Sequence, residues 1–198
     1  MKLFFYLLIF IIPVQANSQA SSDIHERKWK AGVFVGLFQP DIVLSKKENL
    51  NNIDEPIGFT FGSLVEANLT KSFSVTAKAG MSFDGTMMRC VGGCVYLDYM
   101  VIPVSLDLNL DINYKLPLGY NPYILAGFGY KNPLDSENKN ATRSNTGIDL
   151  GAGFNKFFKR FTINPEVRYF WGITNISPLA PKESMYYHSI ALVINIKG

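Results

Sequence analysis

Strict period-two alternation runs through most of the chain and leaves few folds open to it. From Ser72 to Phe83, the residues Phe73, Val75, Ala77, Ala79, Met81 and Phe83 alternate with Ser72, Ser74, Thr76, Lys78, Gly80 and Ser82. Successive side chains of an extended strand point to opposite faces, so this run predicts a strand with one apolar and one small or polar face. The preceding run repeats the pattern, with Ile57, Phe59, Phe61, Val65, Ala67 and Leu69 set against Gly58, Thr60, Gly62, Glu66 and Asn68. Asn68 to Lys71 is left for a tight hairpin turn.

Further along, Met100, Ile102, Val104, Leu106, Leu108 and Leu110 alternate with Val101, Pro103, Ser105, Asp107, Asn109 and Asp111. A strand of that length crosses the roughly 25 Å apolar band of an outer membrane. Pro103 lacks a backbone N–H and predicts a bulge or irregularity at that point. Lys30 to Phe38 makes a first strand, and Tyr123 to Tyr130, Gly147 to Phe154, Phe161 to Thr174 and Tyr187 to Ile196 bring the expected total to eight. The fold class predicted is all-β, an eight-stranded antiparallel up-and-down transmembrane β-barrel.

The polar faces carry Glu66, Lys78, Asp107, Asp149, Glu166 and Arg168. Charges of both signs on one face are rarely buried unless paired, so a self-neutralising polar lumen is expected, with the apolar face turned to lipid. The predicted connections at 40–56, 84–95, 131–145 and 175–186 are long, whereas those near Thr70, at 156–160 and at 113–121 are shorter. Long loops at one end and short turns at the other are the pattern of bacterial outer-membrane barrels, whose termini both lie in the periplasm.

Export is predicted by the first residues. Lys2 gives a positive start, Leu3 to Ile12 an apolar core, and Val14-Gln15-Ala16 or Ser18-Gln19-Ala20 a cleavage site, so residues 1–20 read as a signal peptide and 21–198 as the barrel domain. The apolar core is shorter than the about 20 residues a membrane helix needs, and no later stretch supplies one. With 14% aromatic residues, 16 glycines and only 18% charged residues, the composition suits a barrel showing lipid an apolar wall. The net charge of +3 is spread along the chain without a basic stripe, which argues against a nucleic-acid partner.

Three segments give the chain a resemblance to the PorT-like outer-membrane β-barrel family: Tyr99-Met100-Val101-Ile102-Pro103-Val104, Asn121-Pro122-Tyr123-Ile124-Leu125-Ala126-Gly127, and Glu166-Val167-Arg168-Tyr169-Phe170-Trp171-Gly172-Ile173-Thr174-Asn175-Ile176. The resemblance covers Trp29 to the C-terminus and implies a fold and a location rather than a reaction. Where that family usually has an acidic residue before Ile-Pro this chain has Val101, and where it tends to end in an aromatic residue this chain ends in Gly198.

Candidate sites are few. Cys90 and Cys94 flank Val91-Gly92-Gly93 in a long loop, and an even cysteine count in an exported protein predicts a disulfide between them. Two thiols without a neighbouring His or Cys do not fill the four positions of zinc, so no metal or other cofactor is expected. The histidines are His25 and His188. His188 shares parity with Ile190, Leu192 and Ile194 and is expected on the lipid side, opposite to Ser189, which disfavours a Ser-His hydrolase. Tyr169, Trp171, Tyr186 and Tyr187 are candidates for an aromatic girdle. Glu166 and Arg168 share a face; a salt-bridged plug is expected of them rather than an ion-selective constriction, because eight strands enclose room for side chains and little else. The Asn68-Leu69-Thr70 and Asn140-Ala141-Thr142 sequons read as chance in a protein of this type.

The expected role is that of a structural or interaction barrel without enzyme activity. Its surroundings would be outer-membrane lipid and lipopolysaccharide, with an unidentified protein partner at its loops or periplasmic face. The alternatives are a small pore, a lipocalin-like carrier and a lipid hydrolase.

Overall fold

The alternating β-branched, aromatic and small residues form strands because a pleated surface gives each face its own solvent. A computed structural model describes residues 28–44, 52–54, 57–84, 87–89, 98–100, 104–116, 121–134, 143–177 and 184–198. The predicted signal peptide, His25, Cys90, Cys94, Val101, Pro103 and the Asn140 sequon lie outside them. In chain order the strands are β1 Trp29–Leu44, β2 Asn52–Asp54, β3 Gly58–Asn68, β4 Phe73–Phe83, β5 Met87–Arg89, β6 Asp98–Met100, β7 Val104–Lys115, β8 Pro122–Pro133, β9 Asn145–Phe154, β10 Lys156–Phe157, β11 Thr162–Gly172 and β12 Met185–Lys197.

Eight of these close into the barrel. Each of β1, β3, β4, β7, β8, β9, β11 and β12 pairs antiparallel with the next, and β12 returns to β1 with Gly32 opposite Lys197 and Leu44 opposite Met185. The eight-stranded antiparallel barrel read from the alternation is therefore the observed fold. Closure gives every long strand a hydrogen-bonded neighbour on each side, the arrangement that a wall surrounded by lipid would require. Trp29 and Lys197 lie at the same end as the turns β3–β4, β7–β8 and β9–β11. One of those turns is held by Thr70, whose Oγ1 accepts from the backbone N–H of Ser72 (3.2 Å) and Phe73 (2.9 Å).

Several boundaries differ from the sequence reading. β1 does not stop at Phe38 but runs through Pro40 to Leu44. Past the pair Phe38–Gly58 it has left β3 and pairs with β12 alone, so a residue without an N–H sits where one edge is already unpaired. β7 starts at Val104 rather than Met100 and continues beyond Asp111 to Lys115. Met100 pairs instead with Met87 in a second, three-stranded sheet, β2-β5-β6, formed by the two connections that were read as loops. β8 likewise extends through Lys131 to Pro133.

The outer wall is apolar. Its middle carries Val33, Val35, Leu37, Val65, Leu108, Leu110, Ile124, Leu150, Val167 and Leu192, and all are exposed. Aromatic side chains frame this aliphatic belt at both ends. At the short-turn end stand Trp29, Phe73, Tyr114, Phe158 and Phe161, and at the long-connection end Phe59, Phe61, Phe83, Tyr169 and Trp171. A depression of about 600 Å³ in the wall is floored by Ala31, Ser63, Ala77 and Ala79 and bordered by Val65, Leu110, Phe128 and Tyr130.

Candidate functional site

Parity sends a second set of side chains inward, and there the charges meet. Six cations, Lys30, Lys78, Lys115, Lys131, Arg168 and Lys197, face six carboxylates, Glu66, Asp84, Asp107, Asp111, Asp149 and Glu166; all but Lys115 and Lys131 are buried. The six lumen charges read from the sequence are among them, but they do not form one network. They fall into three tiers along the barrel axis.

The middle tier centres on Arg168 of β11. Its Nη2 lies 2.9 Å from both carboxylate oxygens of Asp111 on β7 and 3.4 Å from Asp149 on β9, and its Nη1 is 3.3 Å from Glu166. Glu166 also accepts from Lys78 Nζ of β4 at 2.6 Å and from the Tyr123 hydroxyl of β8 at 2.7 Å. Asn109 donates to Asp149. Five strands thus meet across the lumen, and each ion has a partner of opposite sign, the condition under which buried charge is tolerable.

Towards the long connections, Lys131 Nζ is 2.8 Å from Asp107, which Ser105 and Ser82 also hydrogen-bond. The Lys131 ammonium stands 5.3 to 5.8 Å from the ring centroids of Phe38, Phe170 and Tyr187, a cation–π cage. Tyr187 donates to Asp84 at 2.9 Å. At the short-turn mouth Glu66 is shared by Lys197 at 2.7 Å and Lys115 at 3.8 Å, while Lys30 lies over the Phe157 ring at 5.9 Å.

At mid-height one side of the lumen is apolar, which the parity reading did not bring out. Phe34 of β1, Leu64 of β3 and Val193 of β12 form a buried cluster with Ala191 against it. Phe34 fits because Gly62 and Gly80 lie beside its ring; a Cβ on either would come within 2.8 and 2.7 Å of it. Between this cluster, the Phe38 and Phe170 rings and the middle tier, a cavity of about 60 Å³ remains, room for a few water molecules.

Of the expected girdle residues, Tyr169 and Trp171 are on the outer wall, but Tyr187 is not: it is 1% exposed and inside the barrel, because odd positions of β12 face the lumen. His188 has the outward parity expected of it, yet it is covered by Tyr169, whose hydroxyl lies 3.3 Å from its Nδ1 and whose ring stacks on it. Ser189 is buried on the opposite face. Among the described residues no group of three His, Cys, Asp or Glu side chains is placed to hold a metal ion.

Lumen residues missing from the sequence reading of the site are Asp84, Asp111, Tyr123, Lys131, Lys115, Lys30 and Lys197. The parity of Asp111 with Asp107 was a usable signal, as was that of Lys197 with Asn195. Lys131 was assigned to a loop because the strand was ended at Tyr130, short of Pro133.

The barrel is similar in fold to solved structures. The outer membrane protein OprG from Pseudomonas aeruginosa matches at a TM-score of 0.57 and 16% identity, over 88% of this chain and 98% of that one. Ail, the attachment invasion locus protein of Yersinia pestis, matches at 0.46 and 12% identity, over 87% and 100%. The N-terminal β-barrel domain of Pseudomonas aeruginosa OprF matches at 0.42 and 16% identity, over 83% and 96%. At these identities the likeness is one of fold. No protein-family model and no curated protein matches the chain.

Proposed function

We propose that this chain is an integral outer-membrane barrel of structural or interaction type, closed to ions and without catalytic activity, whose long connections face the exterior and whose short turns and termini face the periplasm. The observation that carries this reading is the inversion of the wall. Leu110, Ile112, Phe128, Val167 and Leu192 are each more than half exposed, while Lys78, Asp111, Glu166 and Arg168 are buried inside. A soluble carrier would need the reverse, with polar side chains outside and room for an apolar ligand within. Aromatic bands at both ends of the aliphatic belt suit the two membrane–water interfaces. The similarity of fold to OprG, an outer membrane protein, supports the same placement, as does the signal peptide read at residues 1–20.

Membership of the PorT-like group rests on the three sequence segments quoted above. The last of them contributes Glu166 and Arg168 to the middle tier, so in this chain that segment works as part of a plug. Binding would then fall to the outward surfaces: the long connections, next to lipopolysaccharide, and the periplasmic rim. A protein partner in envelope assembly or secretion is the role most in keeping with a sealed barrel.

Fractionation and electrophysiology test the reading together. The protein should stay with detergent-extracted envelope, run as a folded band that shifts on heating, and pass no sustained current in a planar bilayer. A soluble periplasmic protein would remove the membrane placement. Stable conductance whose ion selectivity changes in Arg168→Ala, with the folded band unchanged, would replace the plug by a pore.

A further inference from the structure

The short-turn end of the barrel has a pronounced excess of positive charge. Lys28, Lys71, Lys156, Lys159 and Arg160 are all exposed there. They come from three places on the rim: the start of β1, the β3–β4 turn and the β9–β11 connection. Behind them, at the lumen mouth, Lys30, Lys115 and Lys197 have Glu66 as the one acidic side chain among the described residues of this end. The opposite end mixes signs, with Asp41 and Asp84 accompanied by Lys131 and Arg143 among the described residues. The asymmetry therefore belongs to one rim and not to the chain, whose net charge is only +3.

The aromatic residues fix the depth of these cations. Phe73 and Tyr114 pack at 5.0 Å between ring centroids, and Phe158 and Phe161 stack at 4.8 Å. Trp29, Phe158 and Phe161 are neighbours in sequence of Lys28, Lys159 and Arg160, and Lys71 lies two residues before Phe73, so the charges stand just beyond the aromatic band. Aromatic bands settle at the level of lipid headgroups, and the adjacent cations then lie at the depth of the phosphates.

We propose that this rim binds the phosphate groups of anionic glycerophospholipids, holding a shell of phosphatidylglycerol- or cardiolipin-type lipids around the barrel. The inference rests on the membrane reading above. Zwitterionic lipids are weaker occupants because their phosphate is already neutralised by their own amine. The partly unbalanced lysines of the lumen mouth add to the same positive potential, and salt screens it.

The test uses the full chain in bilayers of neutral phosphatidylcholine carrying traces of spin-labelled phosphatidylglycerol or phosphatidylcholine. The fraction of each label immobilised by the protein is then compared. Wild type should prefer the anionic label about fivefold or more at low salt, the effect of roughly one basic side chain at a charged lipid surface, and lose most of that preference at high salt. The combined variant Lys156→Gln, Lys159→Gln, Arg160→Gln should lose most of it too, whereas Arg143→Gln at the other end should keep it. Equal immobilisation of both labels by a folded, heat-shifting wild type overturns the lipid site and leaves the membrane barrel standing. Retention of the full preference in the triple variant, or at high salt, also overturns it. A wild type that will not insert even into neutral bilayers sinks the membrane reading first. Equal labels together with an acidic periplasmic protein captured by wild type and lost in the triple variant would assign the rim to that protein instead.

Discussion

Two walls of the same lumen, at the same height, are built on opposite chemistry. On β12, β1 and β3 the interior is Val193, Phe34 and Leu64, which touch one another and need no partner. On β4, β7, β9 and β11 it is Lys78, Asp111, Asp149, Glu166 and Arg168, where each group depends on another for its tolerance of burial. The seam between the walls passes through Lys78, whose Nζ is 2.6 Å from Glu166 and 5.7 Å from the Phe34 ring centroid. The comparison separates two ways of filling an eight-stranded barrel. The apolar wall fails by losing volume, locally and by degrees. The charged wall fails by leaving an ion without its counter-ion, which affects every group in contact with it.

Arg168→Ala should have the largest effect, because it removes the cation shared by Asp111, Asp149 and Glu166; about 3–5 kcal/mol of stability should go, less where water follows. Urea unfolding of the reconstituted barrel measures it, and a loss below about 1 kcal/mol would mean that the charged wall is already wet. Leu64→Ala tests the other wall and should cost about 3 kcal/mol, with a cavity left between Phe34 and Val193. A value close to zero in the same assay would show that the apolar wall collapses around the gap. Tyr123→Phe keeps the ring and deletes one donor to Glu166, for a loss of about 2 kcal/mol that double-mutant analysis with Lys78→Met should reveal as coupled. Additive losses would break the description of the middle tier as one unit. Lys159→Gln, at the exposed rim, should change stability by no more than about 0.5 kcal/mol, so that any lipid effect of the rim is read without unfolding.

The charged wall was the more legible of the two. Lys78 among Ser, Thr and Gly, or Asp149 between Gly147 and Gly151, marks an inward face because the neighbouring positions of the strand are apolar. Phe34, Leu64 and Val193 gave no such contrast: Val33, Val35, Val65, Leu192 and Ile194 beside them are apolar as well, and outward-facing and core-facing side chains are then chemically alike. Tyr187 illustrates the same difficulty, since an aromatic residue near a strand end suits a girdle and a lumen equally. Its parity with Ser189 puts it in the lumen, where it meets Asp84, a residue distant in the chain. Pro40 misled in another way, because its effect on β1 depends on which edge has a neighbour.

Alternation along single strands determined the fold class, the number of barrel strands and the side on which most charges lie, because a period of two is a local property and a closed sheet merely repeats it. Partners across the lumen were decided by the tertiary structure alone. Whether Glu166 meets Lys78, or Lys131 meets Asp107, depends on the stagger between strands and on which wall lies opposite, and neither is recorded in the spacing of residues along one strand. The division of six expected lumen charges into three tiers has the same origin: residues of equal parity share a face, but only the register around the closed barrel gives them a common height.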